Sequence, residues 1–421
     1  MNIAKTVGII LLIIIVIFLL ANYVFYDRYK MPKGAEILVK DEKIEVYDDK
    51  TTLYDLIKDS NVEFFTDNVK LDTSSIGEKT ITMKYKYNGF KKYKFDVNYE
   101  VVDTTKPIFI KQPPAANSFY IDEASNEDLE KIKSKVSYAD NYDIYPTLNV
   151  EGEVNFSELG TYKLKYIIKD SAGNENSVSS EITIKERPVI TKDNNEKEPE
   201  PEPEEEEDNF TSFAEHIENN KKYNTMVGID ISKWQGEVDF EKVKEAGCEF
   251  VIMRIGVMKD KDSELVKDNT FDDNYKNAKA AGLKVGIYVY SEANNVDTAV
   301  SNAEFIINTL NGDKLDFPVA FDWESWSYFN SMEMNLHMLN EMYDAFSDKL
   351  KESGYETMLY ASQNYLNNVW MDLKDYTLWV ARYSSKDPEI ENGNKCILWQ
   401  NSSTGRIDGI EGDVDLDIFY K

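Results

Sequence analysis

An alternation of strand-like and helix-like segments from Met226 onward constrains the fold of this chain more than any other feature. Apolar runs such as MVGIDIS, FVIMRIG, KVGIYVYS and FPVAFDWE are separated by amphipathic stretches such as FDDNYKNAKAAG. A later stretch places Leu339, Met342 and Phe346 at helical spacing. Such alternation is typical of a mostly parallel sheet with helical crossovers. About eight strands, with helices becoming scarce toward the end, predict a modified (β/α) TIM-like barrel over residues 223–421.

Four carboxylate side chains stand at or near the ends of these predicted strands. Asp230 lies in GIDIS, and Asp415 lies in DVDLD close to the C-terminus. Asp322 and Glu324 end FPVAFDWE two residues apart, so both point to the same side of that strand. Because functional residues of such barrels lie at the C-terminal strand ends, we expect the four groups to share one cleft. Each ionised carboxylate raises the cost of the next, which predicts an acid that stays protonated near neutral pH.

The overall composition argues against several other functions. The 421 residues carry a net charge of −29, whereas a nucleic-acid binder needs clustered lysine and arginine. The two histidines, His216 and His337, form no zinc-ligand spacing with the cysteines. The sequence shows no motif for a nucleotide, metal or organic cofactor. Cys248 and Cys396 each open a short apolar run, which favours buried, unreactive thiols, although their pairing stays open.

The N-terminal segment Val7–Phe25 is almost continuously apolar. About 19 helical residues match the hydrocarbon thickness of a bilayer, so residues 1–30 are predicted to be a membrane anchor that contacts lipid through residues 7–25. A cleaved signal peptide is the alternative, but no convincing cleavage site follows Leu20. More basic residues follow the segment than precede it, so the positive-inside rule does not support an external C-terminus. The external placement of the C-terminus is therefore inferred from the function of the distal domain alone.

Two small β-modules are predicted after this segment, at residues 31–104 and 105–187. Each ends in two runs of alternating polarity around a turn, at Asn88-Gly89 in the first and at residues 171–174 in the second. The two hairpins are about 80 residues apart, which indicates an internal repeat of a size suited to a β-sandwich. The Glu-Pro tract KDNNEKEPEPEPEEEED then has nothing to bury, so residues 188–222 are predicted to be an extended linker.

Four motifs in the C-terminal half carry a resemblance to a known enzyme family. They are GIDISKWQG, FDWES, LWVARYS and LWQNSSTGRIDGIEGDVDLDIF, in that order. Together they resemble glycoside hydrolase family 25, the muramidases related to Chalaropsis lysozyme, over nearly all of Met226–Lys421. The resemblance implies a modified β/α-barrel that hydrolyses the β-1,4 bond between N-acetylmuramic acid and N-acetylglucosamine in peptidoglycan. Similarly, DTTKP, YADNYD and KDSAGN resemble bacterial immunoglobulin-like modules, which implies a spacer or adhesive role.

Carried over residue by residue, the family resemblance implies that Glu324 donates a proton to the glycosidic oxygen. Asp322 stays ionised and stabilises the oxocarbenium-like state, or it orients the substrate acetamido group for attack on its own anomeric carbon. Asp230 and Asp415 tune the charge and hold the sugar. Asp415 is preferred to Asp417 because the family's final motif places its aspartate directly after the valine. We favour retention with substrate assistance over a protein nucleophile, which needs carboxyl groups about 5 Å apart.

Aromatic side chains at the same strand ends are candidates for stacking on the apolar faces of sugars. The predicted substrate-binding residues are Tyr288, Tyr290, Tyr360, Trp379, Arg382 and Trp399, with Tyr383 as a further candidate. Arg382 belongs to this set because it fits the family pattern. Trp234 and Gln235 also fit that pattern, but no role is assigned to them. The alternative for the aromatic residues is that they fill the barrel.

Three functions follow from these observations. The favoured one is a single-pass membrane-anchored muramidase whose C-terminal domain is extracellular and faces the cell wall. A catalytically silent peptidoglycan-binding surface protein is the alternative, although a binder does not need two carboxylates at one strand end. A structural or adhesive protein, whose immunoglobulin-like modules carry the function, is the third.

Overall fold

A computed structural model describes residues 14–17, 29–188, 210–373, 376–391 and 394–421. The chain forms two compact units, which divide between Thr105 and Lys106. The first unit ends with the first predicted β-module. The second unit contains the second β-module and the barrel, so contacts between those two parts lie within one unit.

The described residues contain no helix that is long and apolar enough to cross a membrane. Of the predicted anchor Val7–Phe25, only Ile14–Ile17 are described, and they are helical; the other residues of the segment lie outside the described part. A bilayer span needs about 20 consecutive apolar residues. The longest helix in the described ranges, Leu336–Glu352, has 17 residues and is amphipathic. The predicted fold class is therefore corrected in one respect: the described residues do not contain its N-terminal transmembrane helix, on which the predicted lipid contact depended.

The first unit contains a β-module built around one long hairpin. Its elements are β1 (Ile37–Val39), β2 (Lys43–Glu45), a 3-10 helix (Leu53–Leu56), β3 (Ile57–Ser60), β4 (Glu63–Phe64), β5 (Gly77–Lys86) and β6 (Lys92–Val102). The sheet order is β2-β6-β5-β4, and β1 pairs with β3. Asn88 and Gly89 both have positive φ in the loop, residues 87–91, that turns the hairpin. Met83, Tyr85 and Val97 are fully buried in its core.

The second unit begins with a module that repeats this arrangement. Its elements are β7 (Ile108–Lys111), β8 (Ala116–Tyr120), a helix (Asn126–Lys133), β9 (Ser137–Ala139), β10 (Thr147–Glu151), β11 (Gly160–Lys169) and β12 (Glu175–Lys185). The sheet order is β10-β11-β12-β8, and β7 pairs with β9. The hairpins β5-β6 and β11-β12 both have strands of 10 and 11 residues. In each module an earlier strand also pairs in parallel with the second hairpin strand, as an internal repeat requires.

The rest of the second unit is a barrel with helices between several of its strands. Its strands are β13 (Thr211–Ser212), β14 (Thr225–Ile231), β15 (Phe250–Val257), β16 (Val266–Lys267), β17 (Lys284–Tyr290), β18 (Val319–Asp322), β19 (Thr357–Ser362), β20 (Leu378–Ala381), β21 (Cys396–Arg406) and β22 (Val414–Tyr420). Its helices are Phe213–Asn220, Phe240–Glu245, Phe271–Ala280, Val296–Leu310, Leu336–Glu352 and Gln363–Asn368, with 3-10 helices at Lys233–Gln235 and Ser325–Ser331.

The barrel closes through its last strand. β14, β15, β17, β18, β19, β20 and β21 pair in parallel in that order. β22 then pairs antiparallel with both β21 and β14, which completes an eight-stranded barrel. Only residues 407–413 join β21 to β22, which is too short for the crossover that a parallel strand needs. The last strand therefore returns antiparallel and lacks a helical partner.

Alternation along each strand separates the barrel interior from the layer beneath the helices. On β15, Phe250 and Ile252 belong to the inner apolar cluster, whereas Val251 belongs to the outer one. Gly228 on β14 faces inward, because a Cβ there would lie 2.5 Å from the carbonyl oxygen of Phe250 and 2.6 Å from its ring. Asp230, two residues further along the same strand, therefore also points inward.

Part of the predicted linker 188–222 belongs to the barrel. Residues 189–209 lie outside the described part, but β13 pairs with β21 and the helix Phe213–Asn220 follows it. The side chain of Ser212 caps this helix by accepting a hydrogen bond from Glu215 N. Phe213 and His216, three positions apart on one helical face, are buried. This apolar face places the start of the barrel region near residue 210.

Candidate active site

The carboxyl ends of the barrel strands surround a cavity of about 300 Å³. Its lining residues are Asp230, Ser232, Trp234, Gln235, Arg254, Tyr288, Tyr290, Asp322, Glu324, Tyr360, Trp379, Tyr383, Gln400 and Asp415. The cavity brings together all the predicted carboxyl groups and most of the predicted aromatic residues. Carboxylates that share an enclosed site are the groups whose pKa values are most easily displaced, which makes this the candidate active site.

Two larger cavities in the described residues have only exposed carboxyl groups in their linings, without a buried one such as Asp230 or Asp322. One, of about 430 Å³, is lined by residues 312–318 and 353–356, at the opposite ends of β18 and β19. The other, of about 650 Å³, shares Tyr383 with the carboxylate cavity and is lined mainly by serine, threonine and asparagine. The assignment of the active site therefore follows chemistry rather than size.

Strand register explains why the carboxylates meet. Asp230 on β14 lies opposite Asp415 on β22. Asp322 on β18 is level with Tyr290 on β17 and Tyr360 on β19. All of these side chains point inward at one end of the barrel: those on the parallel strands lie near the carboxyl ends, whereas Asp415 lies at the amino end of the antiparallel β22. The chain then leaves β18, so that Glu324 directly precedes the 3-10 helix Ser325–Ser331.

Asp322 and Glu324 both lie in surroundings that favour their protonated forms. Burial raises the pKa of Asp322 well above its usual range; the charges of Glu324 and Asp230 raise it further, whereas that of Arg254 lowers it. Burial also raises the pKa of Glu324, whose side chain is reached by solvent from the cleft while protein surrounds its other sides. Burial and mutual repulsion therefore both oppose ionisation of the two carboxyl groups at once. Within the described residues, Oδ1 of Asp322 has no hydrogen-bond partner.

Gln400 connects the polar groups on the opposite wall. Its side-chain amide donates to Oδ2 of Asp230 at 2.8 Å. Its side-chain carbonyl accepts hydrogen bonds from the hydroxyls of Tyr360 at 2.9 Å and Tyr383 at 3.1 Å. Asp230 also shares a hydrogen bond with Asp417, and burial raises the pKa of both carboxyl groups well above the usual range. These bonds fix the orientation of Asp230 toward the cavity.

Asp415 and Asp417 lie two residues apart on β22 but have different surroundings. Asp415 lines the cavity, and burial together with the charges of Asp230 and Glu324 raises its pKa to about 8. Asp417 is fully buried and accepts a hydrogen bond from Nε1 of Trp379 at 2.9 Å. The two residues thus separate into a group that faces the cavity and one that supports the wall behind it.

Aromatic rings form one wall of the cavity. The ring of Trp379 meets those of Tyr288 and Tyr360 edge to face, with centroids 5.8 Å and 4.7 Å away. Trp379 is 1% exposed, so it shapes the wall rather than offering a ring face. Tyr383 and Trp234 are 61% and 76% exposed at the rim, where rings are accessible for stacking on sugars.

Arg382 and Trp399 do not line this cavity. Trp399 follows Leu398 on β21 and precedes Gln400; since Gln400 points inward, strand alternation turns Trp399 away. The indole of Trp399 is buried and donates to the backbone carbonyl of Arg382 at 2.8 Å. The guanidinium of Arg382 instead donates to Oε1 of Gln363 at 3.1 Å and to a backbone carbonyl.

Several cavity residues were not predicted as site residues from the sequence. Arg254 and Gln400 each interrupt an apolar strand, FVIMRIG and CILWQ, and a lone polar residue in such a strand is the signal that marks them. Trp234 and Gln235 were seen only as part of a motif, and Ser232 carries no signal of its own. Gln400 matters most among these residues, because it bonds to Asp230 and to two tyrosines.

The cavity carboxylates do not form a metal-ligand group among the described residues, since no three of them bring their oxygens within 4.8 Å of one another. The absence of a metal or cofactor requirement stays a prediction. The arrangement itself offers proton donors and acceptors beside aromatic surfaces, which suits chemistry on a neutral sugar.

Comparison with known proteins agrees with this arrangement. Residues 229–410 match the model of glycosyl hydrolases family 25, and residues 130–184 match that of the bacterial surface protein Ig-like domain. The chain is 35% identical over 195 residues to an autolytic lysozyme of Clostridium acetobutylicum, covering 46% of this chain and 56% of that protein. It is 27% identical over 211 residues to the uncharacterized protein YegX of Escherichia coli O157:H7, covering 49% and 73%.

Among solved structures, the spore cortex lytic enzyme SleM of Clostridium perfringens is similar at 21% identity and a TM-score of 0.42, covering 48% of this chain and 68% of that one. The chain thus spans little more than half the length of the autolytic lysozyme.

The fold and the site define a class of protein: a closed barrel that gathers carboxyl groups at the carboxyl ends of its strands. Within that class, residues 229–410 are similar to glycosyl hydrolases family 25, and a region that is similar to a bacterial surface immunoglobulin-like domain precedes them. The matched region includes Asp230, Asp322 and Glu324, and it ends before Asp415.

Proposed function

We propose that this chain is a muramidase that hydrolyses the β-1,4 bond between N-acetylmuramic acid and N-acetylglucosamine in peptidoglycan. The observation that carries the proposal is the meeting of Asp322 and Glu324 with Asp230 and Asp415 in one cavity of a family 25 domain. A relative that aligns over this half of the chain is named as an autolytic lysozyme.

Glu324 is the general acid in this proposal. Burial raises its pKa, which favours the protonated form that a general acid needs, and its side chain is reached from the cleft in which a glycan lies. It gives this proton to the glycosidic oxygen as the bond to the anomeric carbon breaks. Its carboxylate then accepts a proton from the water that attacks the anomeric carbon in the second step.

Asp322 is the partner carboxylate. Burial opposes its ionisation, but the positive charge of Arg254 favours it, and a protonated Glu324 removes the nearest like charge. In substrate-assisted retention, Asp322 accepts a hydrogen bond from the acetamido N–H, and the acetamido oxygen attacks the anomeric carbon. The unpartnered Oδ1 of Asp322 is available for this contact. In the alternative role, the ionised carboxylate stabilises the oxocarbenium-like state without orienting the acetamido group.

Asp230 and Asp415 complete the site around the reacting pair. Both have raised pKa values, which disfavours their charged forms beside Asp322, and both offer hydrogen bonds to sugar hydroxyls. Tyr288, Tyr290 and Tyr383 border the same space and provide apolar surface for the rings.

The experiment that tests this function is digestion of purified peptidoglycan by the full chain, with products identified by mass spectrometry. We expect products that end in reducing N-acetylmuramic acid. Glu324→Gln keeps the shape of the side chain but cannot donate the proton, so activity should fall by about 10²- to 10⁴-fold. The matched control is Glu333→Gln, an exposed glutamate that pairs with Lys261 at 3.3 Å outside the cavity.

Other outcomes separate the alternatives. A folded wild-type chain that binds peptidoglycan but releases no reducing ends would support the catalytically silent binding protein. Proton NMR of the first product formed reports the anomeric configuration, and an inverted product would exclude the substrate-assisted route. We further propose that the domain acts outside the cytoplasm and faces the cell wall, since that is where its substrate lies.

A further inference from the structure

The immunoglobulin-like module, residues 106–187, contacts the barrel directly beside Glu324. Its strands β7 and β9 adjoin the 3-10 helix Ser325–Ser331. Ile110 and Ala139 of the module are buried in the same apolar cluster as the outer layer of the barrel, which includes Trp326. A flexibly tethered spacer would not share an apolar core with its neighbour, so this contact indicates that the module is fixed on the barrel.

Hydrogen bonds reinforce this shared core. The hydroxyl of Ser137 donates to the backbone carbonyl of Trp326 at 2.5 Å, and Tyr138 N donates to Oδ1 of Asn330 at 3.2 Å. Next to them, Leu336 N donates to the carbonyl of Asp140 at 2.9 Å, and Nδ2 of Asn335 donates to that of Tyr142 at 2.7 Å. Ser137 is completely buried, so water cannot replace its hydrogen bond when the hydroxyl is lost.

The barrel segment held by these bonds is one that needs outside support. The 3-10 helix has seven residues, whereas runs beyond three or four are uncommon because their hydrogen-bond geometry is poor. Its first turn is connected to the acid, since Trp326 N donates to the carbonyl of Glu324 at 2.7 Å. Ser137 holds the carbonyl of that same tryptophan. A single residue, Trp326, therefore links the backbone of Glu324 to the module.

The barrel holds the other side of Glu324. The indole of Trp323 donates to the carbonyl of Ala293 at 2.8 Å, and the hydroxyl of Ser325 donates to Glu292. These contacts fix the chain immediately before and after the acid. The module closes the remaining side, where the 3-10 helix turns away from β18.

We propose that the immunoglobulin-like module is a positioning element of the active site, and that Ser137 is the positioning residue through which it orients Glu324. The proposal rests on the proposed function, because it needs Glu324 to be the acid. It replaces the spacer role with a part in catalysis: the module sets the position of the segment that carries the proton donor.

The test uses the full chain with Ser137→Ala and the matched control Ser180→Ala. Ser180 is also buried, at 1% exposure, and its hydroxyl donates to the carbonyl of Pro114 at 2.6 Å inside the same module, away from the barrel. Both variants lose one buried hydroxyl-to-carbonyl bond, so their melting temperatures should fall alike. We expect kcat on solubilised peptidoglycan to fall about tenfold in Ser137→Ala with KM unchanged, because small displacements of a catalytic group are costly. Ser180→Ala should keep the wild-type kcat.

A second variant keeps the proposal testable if Ser137→Ala does not fold. Asn335→Ser retains a good cap for the helix Leu336–Glu352 but removes the amide that donates to Tyr142, so kcat should again fall with KM unchanged. Equal kcat values in the interface variants and in Ser180→Ala would overturn the positioning role while leaving the muramidase function intact. A wild-type chain that releases no reducing ends would instead overturn the function itself.

Discussion

Loss of Arg254 should lower the stability of the barrel and also change the pH dependence of its activity. Its side chain is 8% exposed and reaches Oδ2 of Asp268, which is fully buried, through two nitrogens at 2.8 Å and 2.7 Å. It also borders the cavity, where its charge lowers the pKa of Asp322. Arg254→Met keeps much of the volume and removes the charge, so Asp268 is left without its cation.

The magnitude follows from what remains around Asp268. Breaking a buried ion pair by removing one partner costs about 3–5 kcal/mol. Asp268 keeps hydrogen bonds from Lys233 N and from the amide and hydroxyl of Thr270, so the lower end applies, about 3 kcal/mol. For a domain of this size that corresponds to a fall in melting temperature of about 6–12 °C.

The pH dependence gives an independent check on this pair. Although burial raises it, hydrogen bonds from Thr270 and Arg254 hold the pKa of Asp268 below its usual range. A lowered folded-state pKa contributes stability above the unfolded value, about 3.9, and that stability is lost as pH falls through the folded value. The difference in stability between wild type and Arg254→Met should therefore persist at pH 7 and narrow below about pH 4.

Urea unfolding of wild type, Arg254→Met and Arg406→Met measures the effect. Arg406 is the matched control, because its pair with Asp413 at 3.0 Å is exposed and should be worth less than about 1 kcal/mol. The pH dependence of activity is a second measurement. Without Arg254 the pKa of Asp322 rises, so Asp322 ionises only at higher pH and the acidic limb of the pH-activity profile should move to higher pH. If both variants lose the same small amount of stability and the limb does not move, the reasoning about Arg254 is refuted.

Three further predictions concern other parts of the chain. Gly228→Ala places a Cβ 2.5 Å from Phe250 and should destabilise the barrel by about 1–3 kcal/mol in urea unfolding, whereas Gly160→Ala, whose nearest neighbour is 3.8 Å away, should cost less. Burial raises the thiol pKa of Cys248 and Cys396 to about 12, so a thiol reagent at pH 8 should react only after unfolding. Burial raises the pKa of Asp415 to about 8, so this carboxyl group becomes charged as pH rises through 8. Activity should therefore fall on the basic limb of the pH-activity profile, and Asp415→Asn should remove that limb. An unchanged basic limb in Asp415→Asn would exclude Asp415 as its source.

The sequence was sufficient to predict the barrel and the meeting of its carboxylates. Strand-helix alternation specified parallel pairing, and the positions of Asp230, Asp322 and Asp415 at strand ends placed them at one end of a barrel. The side to which each residue points was harder to predict. Strands such as β21 are buried on both faces, so the apolar pattern does not say whether Trp399 or Gln400 points inward. The polar member of such a pair is the better guide, since a barrel interior with carboxylates offers it a partner.

Other parts of the fold depend on contacts that local sequence does not reveal. Ser137 bonds to Trp326 across 189 positions, and a serine at the start of a short strand does not indicate its partner. The helix Phe213–Asn220 did carry a signal, a capping serine and an apolar face, but it is only eight residues long and follows a tract that favours extended chain. Its stability comes from packing on the barrel through Phe213 and His216.

The concentration of carboxyl groups at the barrel mouth has a cost in stability. Asp230 and Asp417 have folded-state pKa values well above the usual range, so the folded chain holds protons that the unfolded chain releases. The free energy of unfolding therefore decreases as pH rises from about 4 toward neutral. The apolar layers beneath, with Trp323 and Phe321 fully buried, must offset that loss. A barrel selected for stability alone would place apolar side chains at these inward positions, and the departure from that pattern is what makes the site visible in the sequence.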